Sequence, residues 1–248
     1  MLTSLPNQSQ RLWLMGLLFL WVVFLFGGFI FGGLNPEQTR RMPTWTRMAS
    51  SLTLVVAGWS WYWFSRDQAA NSFALLIAVG MTLGLLGDLF MANLLPVSKH
   101  VLWGIGAFGL GHLAYISAFL HLGNRSGLDA AGPRWAAWVV WLLIGLVGWY
   151  LAVYRGQQPT MLHWAALPYA LLLASTAGFA TGLAVQAPTF VPLAIGGGLF
   201  LLSDLILATR LFNGVRFYLI DDVVWLTYGP AQALIVYSVY SALGVLGR

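Results

Sequence analysis

Apolar residues fill this chain in long blocks, and polar residues fall mainly in the short gaps between them. A helix needs about 20 apolar residues to span a bilayer. Eight blocks reach or approach that length: about 12–34, 47–64, 71–95, 100–121, 134–154, 160–185, 190–212 and 218–246. The gaps carry turn and stop signals. Pro36 and Pro43 mark the first, Arg66-Asp67 the second and Pro96 the third. Asn124 to Pro133 forms the fourth, Gln157-Gln158-Pro159 the fifth, and Pro188 falls in the sixth. Asn213-Gly214 ends the seventh block in the manner of a helix stop. No gap is long enough to fold as a separate domain. The pattern predicts an all-α polytopic membrane protein, with eight transmembrane helices in one bundle and residues 1–248 as a single domain. The first block is longer than the h-region of a signal peptide, and the glycine-rich run Gly27 to Gly33 offers no convincing cleavage site, so it reads as a span.

Composition removes the soluble alternatives. Charged residues make up 8% of the chain, against roughly 25% in a typical soluble domain, and the hydrophobic fraction is 59%. A soluble fold cannot cover its surface with so few charges. The net charge of +5 comes from arginines scattered between apolar runs, with no basic stripe, so nucleic acid is not an expected partner. The absence of cysteine excludes disulfides, thiolate metal sites and cysteine nucleophiles. Tryptophans gather near block ends, as at Trp59, Trp61 and Trp63 or Trp135, Trp138 and Trp141, which suits interfacial belts. The side holding the first loop collects Arg40, Arg41, Arg47, Lys99, Arg155, Arg210 and Arg216. The other collects Arg11, Arg66, Arg125, Arg134 and Arg248. The positive-inside rule leans toward a cytoplasmic first side, and the expected location is a bacterial inner membrane.

Two aspartates lie inside otherwise apolar blocks: Asp88 in the third and Asp204 in the seventh. A carboxylate at the centre of a membrane helix costs about 2.5–3.5 kcal/mol on insertion scales, so it belongs in a bundle interior with something to do. The two blocks run in the same direction, and each aspartate is expected about two-thirds of the way along. Gly87-Asp88-Leu89-Phe90-Met91-Ala92 echoes Ser203-Asp204-Leu205-Ile206-Leu207-Ala208. Each aspartate is followed 24 residues later by a polar ring, His112 or Tyr228. The echo points to a parallel four-plus-four repeat with a site between the halves.

Other blocks can reach the same level. Gly104, Phe108, His112, Tyr115 and Phe119 share one helix face, as do Asp221, Trp225, Tyr228 and Gln232. Gly80, Gly84 and Gly87 allow close helix approach beside Asp88. Pro230 is expected to kink its helix or free a carbonyl. Asp221 and Asp222 sit at the interface, while Arg47, Arg210 and Arg216 are candidates to hold a lipid phosphate. His100, His121 and His163 lie near block ends and read as bystanders. There is no G-x-S-x-G elbow, H-E-x-x-H pair or P-loop. Asp88, His112 and Asp204 are the one conceivable zinc set. Leu85-Leu86-Gly87-Asp88 lacks the Gly-x-Gly-Asp form of intramembrane aspartyl proteases.

The ordered set of Gly87-Asp88, His112 with Tyr115, Ser203-Asp204, and Tyr228 with Gln232 resembles the YhhN-like lysoplasmalogenase family. The likeness is strongest over about 80–120 and 195–240. It implies a hydrolase that cleaves the vinyl ether of a 1-alkenyl lysophospholipid, releasing a fatty aldehyde and glycerophospho-ethanolamine or -choline. It also implies that Asp88 and Asp204 are the catalytic pair, and that no cofactor is needed. Many members carry Lys-Pro at the start of the second span; this chain has Arg47-Met48 there, which keeps the positive charge.

That chemistry suits the residues. Vinyl ether cleavage needs one carboxylic acid still protonated near neutral pH and one carboxylate to stabilise an oxocarbenium ion and steer water, as in glycosidase pairs. Apolar surroundings and a neighbouring carboxylate both favour the neutral form of an acid. Asp88 and Asp204 fit these roles without an individual assignment, and His112 or Tyr228 orients them or the water. Tyr115, Tyr228, Gln232, Asp221, Asp222, Arg47, Arg210 and Arg216 are the candidate substrate contacts. The expected partner is a lysophospholipid within the bilayer. The competing readings are a proton-coupled carrier of a lipid or small amphiphile, a metal-dependent membrane amidase, and a structural membrane subunit.

Overall fold

The computed structural model describes residues 6–247, so Arg248, counted above among the loop charges, lies outside the described residues. Among the described residues there are helices and no strands. Eight long helical rods follow one another: α1 Gln8–Phe31, α2 Thr44–Phe64, α3 Asn71–Met91, α4 His100–Ser126, α5 Ala131–Tyr154, α6 Met161–Gln186, α7 Pro188–Asn213 and α8 Ile220–Leu246. Seven are long and apolar enough to cross a membrane. The exception is α2, whose hydropathy is lowered by Thr46, Ser50, Ser51 and Thr53; all four are buried, so its polarity faces inward.

Local chemistry sets the ends. Asn7 and Gln10 cap α1 reciprocally, each side chain accepting from the other's backbone N–H at 2.9 Å. Gly127 and Gly214 close α4 and α7 with φ of +70° and +64°, a geometry that glycine adopts without cost. The third helix stops at Met91, short of the expected 95, so Asp88 stands in its last turn. The eighth continues through Pro230 to Tyr237, and its regular pattern breaks at Ser238 instead.

Six rods pack in cyclic succession, α2–α3–α4–α6–α7–α8, with α8 closing back on α2 and α3. The other two lie outside, α1 against α2 and α5 against α6. Burial follows this arrangement: 28% of the apolar window of α1 and 22% of that of α5 is buried, against 61% for α6 and 56% for α8. Large side chains such as Phe19, Phe31, Leu143 and Val147 point outward. An apolar exterior of this kind is stable in lipid and not in water. The chain is therefore a multi-pass integral membrane protein. The glycines of α3 are its contact points, as expected. A methyl group at Gly80 would overlap the Tyr115 ring, one at Gly84 would meet Gln232, and one at Gly87 would overlap the Phe108 ring.

Candidate functional site

A cavity of about 470 Å³ opens at one end of the bundle, where α1, α3 and α7 finish and α2, α4 and α8 begin. Asp88 and Asp204 both line it. Asp88 is 4% exposed and accepts a hydrogen bond from Ser51 Oγ of α2 at 2.6 Å. Asp204 accepts from the Tyr169 hydroxyl of α6. Tyr228 also lines the cavity, and its hydroxyl accepts from Gln232 Nε2 one turn further along α8. The Tyr228 proton is thereby left to turn toward Asp88, its other side-chain hydrogen-bond partner. Gln232 itself stays behind Tyr228, away from the cavity wall.

A second, apolar slot of about 70 Å³ adjoins the first chamber between α4, α5, α6 and α7. The two share Met91, Val101, Phe108, Asp204, Leu207 and Leu211, whereas Asp88 faces the polar chamber alone. Trp149, Val153, Ala170 and Phe212 also wall the slot.

The remaining candidates divide. Arg47 lines the cavity, donates from Nη2 to Thr44 Oγ1 at 3.0 Å, and lies over the Trp225 ring at 5.3 Å. Arg210 and Asp221 line it as an ion pair. Asp222 does not reach it. Its carboxylate accepts the backbone N–H groups of Arg41 and Met42 at 2.5 and 3.1 Å, which ties the α1–α2 loop to α8. Arg216 is exposed and outside the cavity.

Tyr115 is packed on Gly80, its hydroxyl 4.0 Å from Met81 Sδ. His112 is also set back from the cavity. Its Nδ1 is 2.9 Å from Thr176 Oγ1, and its ring packs on Phe200 at 4.6 Å between centroids. Counting at about 1.5 Å per residue from the start of α4, His112 lies roughly 18 Å in, one turn deeper than Phe108, which does line the cavity. Asp88, His112 and Asp204 therefore do not form a ligand cluster, and among the described residues no three such side chains do.

Several cavity residues escaped the sequence reading. His100 is no bystander: it lines the mouth, with Glu37 and Arg40 of the α1–α2 loop. Ser51 and Tyr169 supply the hydrogen bonds to the two aspartates. Ser51 lies one turn from Arg47 on α2, and this small polar residue inside an apolar block was a usable signal. For Tyr169, a tyrosine in a helix rich in apolar residues, no such signal existed.

No curated protein and no solved structure matches the chain. A model of the YhhN family matches residues 42–239. That stretch is most of the chain, and it contains both aspartates together with Arg47, Ser51, Tyr169 and Tyr228. The chain belongs to the YhhN family.

Proposed function

We propose that this protein is a lysoplasmalogenase-type hydrolase. The observation that carries the reading is the pair of aspartates, from α3 and α7, facing one cavity that is polar toward its mouth and joined to an apolar slot at Asp204. A 1-alkenyl lysophospholipid has the same order of parts: a charged headgroup, a vinyl ether, then a hydrocarbon chain. The headgroup would occupy the mouth and the first carbons of the chain the slot, which puts the vinyl ether between the aspartates.

The β-carbon that must be protonated lies on the chain side of the ether oxygen. Asp204 borders the slot, so it is assigned as the proton donor. Protonation forms the C–H bond and leaves an oxocarbenium ion. Asp88, on the polar side with Ser51 and Tyr228, faces that cation and takes a proton from the water that adds to it. The hemiacetal then collapses, its C–O bond to glycerol breaks, and fatty aldehyde and glycerophospho-alcohol leave. The proton taken up by Asp88 balances the one given by Asp204.

The order of packing supports eight spans in a parallel four-plus-four arrangement. Adding four to each helix number carries the ring α2–α3–α4–α6–α7–α8 onto itself, and outer α1 onto outer α5. On this reading the chain is one transmembrane domain of a bacterial inner membrane. The test is incubation of the pure protein with a lysoplasmalogen in deuterium oxide. The expected product is fatty aldehyde with deuterium at the carbon next to the carbonyl. Release of a fatty acid, or of no product, defeats the proposal.

A further inference from the structure

The cavity mouth holds an arrangement of charge that the two aspartates do not explain. Arg40 Nη1 and Arg47 Nη2 converge on one hydroxyl, Thr44 Oγ1, at 3.4 and 3.0 Å. Neither guanidinium has a carboxylate partner: the ion pair found among the described residues is Arg210 with Asp221. Arg47 Nε is buried without a hydrogen-bond partner, and its guanidinium lies over the Trp225 ring. Two like charges held side by side with donors to spare form a site for an anion with several oxygens.

Glu37 lines the same mouth and is exposed. It lies on the α1–α2 loop three residues before Arg40. That segment is pinned to the start of α8: Leu219 N–H donates to the Gln38 carbonyl at 3.0 Å, and Asp221 N–H to the Thr39 carbonyl at 2.9 Å. Gln38 and Leu219 both take left-handed backbone angles, with φ of 55° and 62°, which non-glycine residues keep only when their surroundings hold them there. Glu37 and Arg40 therefore flank a fixed point of the loop. Besides the two aspartates and the Arg210–Asp221 pair, the lining thus holds two guanidiniums without a carboxylate partner and one exposed carboxylate.

Resting on the hydrolase reading, we propose that Arg40, Arg47 and Glu37 set the headgroup specificity of the mouth, with Arg40 and Arg47 holding the phosphate and Glu37 the ammonium of a zwitterionic phospho-amine headgroup. Arg210 is occupied by Asp221 and Arg216 stands outside, so the phosphate falls to the pair around Thr44.

The test is binding to the full-length protein in detergent, with hexadecyl ether lysolipids that have no vinyl bond to cleave. Three probes differ at the headgroup: phosphoethanolamine, phosphoglycerol, and hexadecylglycerol without phosphate. The wild type is expected to bind the phosphoethanolamine probe about tenfold more tightly than the phosphoglycerol probe, and both more tightly than hexadecylglycerol. Arg40→Gln and Arg47→Gln are expected to erase the preference for phosphate while leaving hexadecylglycerol binding intact, which also reports a folded protein. Glu37→Gln is expected to erase only the ethanolamine preference. Equal wild-type affinity for all three probes overturns the proposal, as does an unchanged preference in Arg40→Gln and Arg47→Gln. Equally strong competition by inorganic phosphate assigns the site to free phosphate and overturns the lipid assignment. Aldehyde release is measured separately. Lost headgroup preference with aldehyde release intact defeats this site alone, and intact preference without aldehyde release defeats the hydrolase reading alone.

Discussion

The two aspartates line one cavity from α3 and α7, yet their surroundings differ. Asp88 sits in the last turn of α3, in the polar chamber, with a serine hydroxyl from α2 bonded to it. Asp204 lies two and a half turns from the end of α7, bonded by a tyrosine, with an apolar slot at its back. The preceding residues diverge as well. Gly87 makes room for the Phe108 ring, whereas Ser203 donates to the Val224 carbonyl at 3.0 Å. One cavity thus offers one polar and one apolar carboxyl environment, which is the asymmetry that acid and base roles require.

The strongest attempt to break that comparison is to neutralise each carboxyl. Asp204→Asn is expected to lower kcat for aldehyde release by about 10³-fold or more, the scale of a lost general acid. Asp88→Asn is expected to cost somewhat less, about 10²–10³-fold, because water remains present without its base. Near-wild-type turnover in either variant removes the pair from the chemistry.

A smaller effect separates the supporting hydroxyls. Ser51→Ala and Tyr169→Phe each delete one bond to a carboxyl group, and each is expected to reduce kcat by about 10–100-fold with little change in KM. Steady-state kinetics on one lysoplasmalogen decides it; a change confined to KM would reassign the residue to substrate binding.

The slot gives a prediction of specificity. Ala208→Phe fills space beside Asp204, so KM for long alkenyl chains is expected to rise about tenfold while a short-chain substrate is little affected. Equal effects on both chain lengths would mean that the chain lies elsewhere.

The smallest effects concern stability. Gly87→Ala forces the Phe108 ring aside and is expected to cost about 1–3 kcal/mol. Ser203→Ala loses one interhelical hydrogen bond, worth about 1 kcal/mol. Thermal unfolding in detergent should rank them in that order.

The sequence made the aspartates legible because a carboxylate is rare in an apolar block and conspicuous for that reason. The glycines of α3 were legible because their spacing matches one helix face. Periodicity states which residues share a face but not how deep each one lies or what covers it. His112 shares a face with Phe108, yet a single turn of extra depth takes it off the cavity wall. Tyr115 is removed from the cavity in the same way by its seat on Gly80. The hydrogen-bond donors to the aspartates come from α2 and α6, and only the packing of the rods reveals those pairings. Glu37 and Arg40 lie in a loop whose position depends on backbone bonds to α8 and on the carboxylate of Asp222, none of which leaves a periodic trace.

The cavity mouth opens at one end of the rods, and the charged residues that rim it all belong to that end. Whichever way the protein is inserted, a lysolipid can present its headgroup to that rim from only one leaflet. Under the proposed hydrolase function, molecules in the opposite leaflet must first flip across the bilayer, so supply in a membrane is set by transbilayer lipid traffic as well as by total lysolipid content.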